Sequence, residues 1–258
     1  MNHESLFSIS PLDGRYENAV SALREITSEY GLIKYRYTIE IKWFIHLSKN
    51  SQIKELPKLD IKDYLYLNDL IGNFDIKDAK RVKTIEKKTN HDVKAIEYFI
   101  REKFKKHKKL SKYQEFIHFA CTSEDINNLS YALMIKEAKS ITKAAINETN
   151  KKIKQLANKY KKISMLSRTH GQSASPTTMG KEFANFHHRI NKISLSVDRR
   201  TMTGKINGAV GNYNAHKVAY PEIDWQKISN QFVRSLKLDF NSHTTQIEPK
   251  DTIALLLG

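Results

Sequence analysis

Between Thr122 and Lys162 the chain runs for about forty residues without a proline or a glycine. No other feature of the sequence narrows the fold so far. The stretch opens on Thr122-Ser123-Glu124-Asp125, a hydroxyl followed three residues later by an acid, which is the pattern of a capping box. A helix of that length reaches about 60 Å at roughly 1.5 Å per residue, more than a compact domain spans. It predicts a long bundle helix that extends into an oligomer.

The remaining pattern is also helical. Glycine and proline are sparse, 9 and 5 of 258 residues, as suits a chain poor in turns. From about 20 to 48, Val20, Leu23, Ile26, Tyr30, Ile33, Tyr37, Ile41, Phe44 and Ile45 recur at three- and four-residue steps, the mark of an amphipathic helix, with Gly31 expected to bend it. Further helical patterns cover about 62–73, 77–88, 177–201, 222–236 and 248–257, and Asn90 is the expected N-cap of another that runs to about 106. Residues 1–16 read as an irregular arm because Pro11, Asp13 and Gly14 form turns. The Gly- and Asn-rich string GKINGAVGNYNAH at 204–216 reads as a loop with unusual backbone angles. No fixed-period repeat or useful strand alternation is visible. The expected fold class is therefore all-α, with a small N-terminal helical domain over 1–115 and a long central helical bundle over 116–258. The apolar run Ile253 to Leu257 has no polar tail, so the bundle is expected to continue past the chain given, with a C-terminal domain absent.

The charge balance is strongly basic, +16 from 44 Lys and Arg against 28 Asp and Glu. That would suit nucleic acid, an anionic membrane or a polyanionic small substrate. Most lysines fall on the polar faces of the periodic segments, and the densest basic run, 101–113, reads as a helix end and loop, so a solvated surface is favoured over a nucleic-acid groove. No apolar run approaches the roughly 18–20 residues that cross a bilayer, and the N-terminus lacks the pattern of a signal peptide. The expectation is no nucleic-acid partner and no membrane. Cys121 is the one cysteine, which excludes an intrachain disulfide and fits a reducing, cytoplasmic compartment.

Four polar clusters lie at helix starts or loops rather than on solvated faces. Asp13-Gly14-Arg15-Tyr16 offers a guanidinium fork beside a phenol, a phosphate-binding combination, although Arg15 alone is equally a surface arginine. Thr89-Asn90-His91-Asp92 sits where helix amides attract anions, or is simply a cap. Cys121 to Asn128 crowds hydroxyls and amides into the first turns of the long helix. A capping box accounts for Thr122 to Asp125 but not for Asn127-Asn128, which weaken helix propensity. The fourth, Ser167 to Gln172, is a polar stretch between two long helices in which Arg168 and Gln172 could orient a substrate while the His170 imidazole transfers a proton; a surface or cap histidine is the alternative. No metal-binding spacing, P-loop or dinucleotide fingerprint occurs, so proton transfer without a cofactor is the economical chemistry.

Together, SPLDGRY (10–16), TNHDVKAIEYF (89–99), EFIHFACTSEDINNLS (115–130), LSRTHGQSASPTTMGKE (166–182), GKINGAVGNYNAH (204–216) and TTQIEPKD (244–251) resemble, in order, the adenylosuccinate lyases of the fumarase and aspartase superfamily. The resemblance implies a three-domain helical subunit, a homotetramer whose active sites are shared between subunits, a nucleotide substrate and no metal or cofactor. It implies cleavage of adenylosuccinate to AMP and fumarate, and of the succinylated aminoimidazole carboxamide ribotide to its carboxamide and fumarate. By motif, Arg15 and Tyr16 resemble substrate-phosphate contacts, and Asn90, His91 and Asp92 resemble part of the nucleotide pocket. Thr122 and Ser123 resemble holders of the succinyl carboxylates, His170 the general acid, and Gln246 a further substrate contact that nothing but the resemblance points to. The catalytic serine loop of the family lies beyond the last residue of this sequence, so the stretch is expected to be inactive alone. An argininosuccinate-lyase-like member of the superfamily, a basic helical nucleic-acid binder and a non-catalytic scaffold fragment are the rival readings.

Overall fold

The computed structural model describes residues 8–257, so the first seven residues of the expected arm lie outside the described residues. The chain forms two compact units, one from the residues up to Ala138 together with Met202–Ile253, the other from Lys139–Thr201 and the residues from Ala254 onward. In the first unit, 11–20 form hydrogen-bonded turns, with the Tyr16 amide donating to the Pro11 carbonyl at 2.9 Å. Two helices follow, α1 (Ser21–Thr27) and α2 (Glu29–Leu47), where the sequence predicted one. The break falls at Ser28, not at Gly31: Ser28 is extended and its hydroxyl accepts from the Gly31 amide. Gly31 is needed because a Cβ there would lie 2.3 Å from the Ile26 carbonyl oxygen.

α2 is the pillar of this unit. It is buried on several faces, which its dense Ile, Tyr, Trp and Phe content permits. Tyr37 meets Phe74 at 4.9 Å and Phe99 at 5.6 Å between ring centroids, Phe44 meets Phe104 at 4.9 Å, and Trp43 meets Phe232 at 5.0 Å. These rings tie α2 to α5 (Asp92–Lys105) and α9 (Trp225–Ser235). α3 (Ile61–Gly72) and α4 (Ile76–Thr89) each begin with a complete capping box, Asp60 with Asp63 and Asp75 with Asp78. A correction concerns Asn90: it is the C-cap of α4, left-handed at φ 51°, and His91 is the N-cap of α5. Asparagine tolerates left-handed backbone better than other non-glycine residues, so one Asn–His pair ends one helix and starts the next.

A 3-10 helix (Leu110–Phe116) leads toward α6 (Ser123–Lys159), whose 37 residues bear out the long helix read from the sequence. Its early turns belong to the first unit and its later turns to the second. The first unit is completed by α8 (Asn214–Ala219), α9 and the start of α10 (Asp251–Leu257).

In the second unit, α7 (Met179–Asp198) runs antiparallel to α6, as the contacts Lys143–Asp198, Asn150–His187 and Tyr160–Phe183 successively show. Gly180 lets the chain close, since a Cβ there would lie 2.4 Å from the Ala157 carbonyl oxygen. The polar stretch before α7 is not a loop but an antiparallel hairpin, β1 (Ser164–Thr169) and β2 (Gln172–Thr178), with an irregularity between Leu166 and Arg168. Two short strands elsewhere, β3 (Thr203–Gly204) and β4 (Asp239–Phe240), pair in parallel in the first unit. Among the described residues the architecture is otherwise helical.

Candidate functional site

In the first unit three of the singled-out strings are stitched together around one carboxylate. Asp125, in the first turn of α6, is fully buried, and so is Lys205. The Asp125 Oδ1 accepts from the Asn207 amide at 3.0 Å and lies 2.9 Å from the Lys205 ammonium; its Oδ2 accepts from the Thr122 amide at 2.9 Å and the Gly208 amide at 3.1 Å. Four donors on two oxygens offset the desolvation of the charge. Asn128 adds a second clamp one turn on: its Oδ1 accepts from the Lys205 amide at 2.8 Å while its Nδ2 donates to the Lys205 carbonyl at 3.0 Å. The 204–211 segment can follow this path because Gly208 and Gly211 are left-handed, at φ 85° and 81°.

The segment that carries Gln246 joins the same assembly. Asn207 Nδ2 donates to Thr244 Oγ1 at 2.8 Å, Thr203 Oγ1 donates to the buried Glu248 at 2.8 Å, and Lys250 pairs with Glu124 at 2.8 Å. Gln246 itself is exposed on this anchored stretch. Thr122 and Ser123 are half-buried, and among the described residues neither hydroxyl has a hydrogen-bond partner within the protein. Beside them, burial, with Asp125 and Glu40 nearby, pushes the Cys121 thiol well up, which disfavours its thiolate.

A second cluster forms where α2, α5 and α6 meet. The buried Arg36 guanidinium donates from Nε to Asn127 Oδ1 at 2.8 Å and pairs through Nη2 with Asp92 at 2.7 Å. Burial works against the Asp92 charge, but Arg36, the Val93 amide and His91 outweigh it and hold the carboxyl below its usual range. The His91 Nδ1 accepts from the Lys94 amide at 3.1 Å, which leaves Nε2 as the ring's donor at an exposed corner. Asn127 lies one turn after Ser123, on the same face of α6. Four residues along α2 from Arg36, the buried Glu40 pairs with His118 at 2.5 Å. Burial opposes the His118 charge, yet Glu40, with Glu97 and Asp125 beyond it, raises its pKa above the ordinary value. His118 and Ala120 are left-handed, at φ 59° and 57°, so the approach to α6 stores strain of the kind found near functional sites.

Arg15 and Tyr16 are exposed on the turns before α1, with the Arg15 guanidinium 5.6 Å from the centre of the Tyr16 ring. In the second unit His170 occupies the tip of the β1–β2 hairpin. Thr169 pairs with Gln172, leaving His170-Gly171 as a two-residue turn with φ 48° and 75°. Both positive angles match the primed turn whose twist suits a hairpin, and they set the imidazole at an exposed tip with Arg168 and Gln172 flanking it on the strands. Among the described residues no group of three or more His, Cys, Asp or Glu is placed to hold a metal ion. No helix among them is long and apolar enough to cross a membrane.

With this geometry in view, residues 14–258 match the family model described as Lyase. The chain belongs to this lyase family. It is similar to the adenylosuccinate lyase of Escherichia coli (strain K12), 51% identical over 257 residues, covering 99% of this chain and 56% of that protein. It is also similar to the adenylosuccinate lyase of Legionella pneumophila (strain Corby), 51% identical over 255 residues, with 98% and 56% covered. The lyase chain thus spans somewhat more than half the length of these curated relatives. Among solved structures, the fumarate lyase of Mesorhizobium sp. BNC1 superimposes with a TM-score of 0.73 at 16% identity, over 91% of this chain and 52% of that one. At that identity the likeness concerns the helical fold.

Four residues of this lyase chain's site escaped the sequence reading: Arg36, Glu40, His118 and Lys205. A signal existed for the first two, since charges at 36 and 40 interrupt the apolar stripe of Ile33, Tyr37, Ile41 and Phe44. A charge on a buried face needs a partner. Lys205 and His118 carried no comparable signal.

Proposed function

We propose that the protein is an adenylosuccinate lyase, eliminating fumarate from adenylosuccinate to leave AMP and from the succinylated aminoimidazole carboxamide ribotide to leave its carboxamide. The observation that carries this reading is the 51% identity, over 257 residues, to a protein of that name. In the elimination, a base takes the proton from the succinyl carbon next to a carboxylate. The electrons form the fumarate double bond, and the C–N pair leaves with nitrogen, which needs a proton. The exposed imidazole of His170 is assigned that proton transfer as general acid. The unpartnered Thr122 and Ser123 hydroxyls at the start of α6 are assigned the succinyl carboxylate, where charge builds up as the proton leaves. Asn90, His91 and Asp92 are assigned to the nucleotide, Arg15 and Tyr16 to its phosphate and Gln246 to a further contact.

The same reading includes a division into an N-terminal domain over 1–115 and a bundle domain from 116, a homotetramer with shared active sites, a cytoplasmic location and no metal or cofactor. The His170 hairpin and the Thr122 corner belong to different compact units. In the full-length protein, fumarate release followed by its ultraviolet absorbance is expected with both succinylated purine substrates. Release from argininosuccinate alone would overturn the assignment.

A further inference from the structure

We infer that Lys205 is a positioning residue for the carboxylate-binding corner at Thr122 and Ser123, acting through the carboxylate of Asp125. The inference rests on the function proposed above. Lys205 is fully buried, and among the described residues its ammonium has two polar partners, Asp125 at 2.9 Å and the Gly208 carbonyl at 3.1 Å. It is therefore too enclosed to touch substrate, and its charge is directed inward. A fully buried ammonium is expensive to keep out of water, and a methionine or leucine would fill the same space with less cost to folding. What the charge provides is geometry: it holds one oxygen of Asp125, so that the other faces the Thr122 and Gly208 amides.

The Thr122 amide is the connection to the site. Its hydrogen bond to Asp125 fixes the backbone from which the two unpartnered hydroxyls project. Asn128 grips the Lys205 backbone from both sides, so the ammonium enters the cluster from an anchored residue. Moving Asp125 by a fraction of an ångström would turn the first residues of α6 and, with them, both hydroxyls. Displacements of that size in a positioning group lower the binding of the group it orients while leaving distant contacts alone.

The test uses the full-length protein and its two products as separate probes. Lys205→Met is expected to weaken inhibition by fumarate about ten- to hundredfold, the size of a lost charge-assisted contact, and to leave inhibition by AMP within about a factor of two of wild type. The Asp125→Asn/Lys205→Met double variant removes both buried charges together, so it tests the same point without stranding an unpaired ion, and it is expected to keep the fumarate defect. Equal weakening of both products, no change in either, or recovery of fumarate affinity in the double variant would each overturn the positioning role. Failure of the wild-type protein itself to bind fumarate or AMP would instead overturn the proposed function.

Discussion

Acidification should destabilise the first unit through His216. Its ring is fully buried, stacked edge-on against Trp225 at 4.8 Å and Tyr213 at 5.5 Å, with neither ring nitrogen hydrogen-bonded. Burial, and secondarily Lys205, lowers its pKa from 6.5 to about 4, against the opposing pull of Asp125. In the unfolded chain the imidazole takes up a proton below about pH 6.5, whereas the folded one resists until about pH 4. Between those values the unfolded state binds the extra proton, so stability is full above pH 6.5 and falls as the pH drops. At 1.36 kcal/mol per pKa unit, the loss is about 2 kcal/mol between pH 7 and 5 and about 3 kcal/mol by pH 4. His46, also lowered by burial, adds in the same direction, while His118, raised, opposes it: its contribution is present below pH 6.5 and lost as the pH rises through its folded value. Comparison with His216→Phe isolates the one ring, because phenylalanine keeps the stacking and removes both unbonded nitrogens. Urea denaturation at a series of pH values should show the variant gaining on wild type by about 2 kcal/mol from pH 7 to 5. Parallel stability curves over that range would refute the argument.

Two further substitutions test the site and its scaffold. His170→Asn in the full-length protein should keep the hairpin, since asparagine accepts the left-handed turn angle, yet lower kcat by about 10²–10⁴-fold for want of a transferable proton; near-normal turnover in a correctly assembled enzyme would remove His170 from the general-acid role. Gly211→Ala would place a Cβ 2.0 Å from the Thr244 carbonyl oxygen at a φ of 81°, so it should cost about 2–5 kcal/mol from combined overpacking and left-handed strain, read as a lowered Tm together with weakened substrate binding as the Gln246 segment shifts.

The sequence alone determined most of the longer helices and most of the chemistry-bearing residue types. Periodicity is a local property: the spacing of Ile33, Tyr37, Ile41 and Phe44, or forty residues free of breakers, marks a helix without reference to any distant residue. It also marked the Gly-rich 204–216 segment as a place of unusual angles, which Gly208, Gly211 and Tyr213 adopt. What sequence could not show was where polar residues find partners. Asn127 and Asn128 looked like flaws in a helix; only the fold reveals that one receives Arg36 and the other clamps Lys205. The hairpin was missed because its strands are polar and its turn is His-Gly rather than Asn-Gly, leaving pairing across the turn to decide between loop and strand. Tertiary structure likewise decided that Lys205 turns inward and that Asp125 serves two segments some eighty residues apart. Local preference sets the backbone of each element, whereas burial and hydrogen bonding of a charge depend on groups that only folding brings within 3 Å.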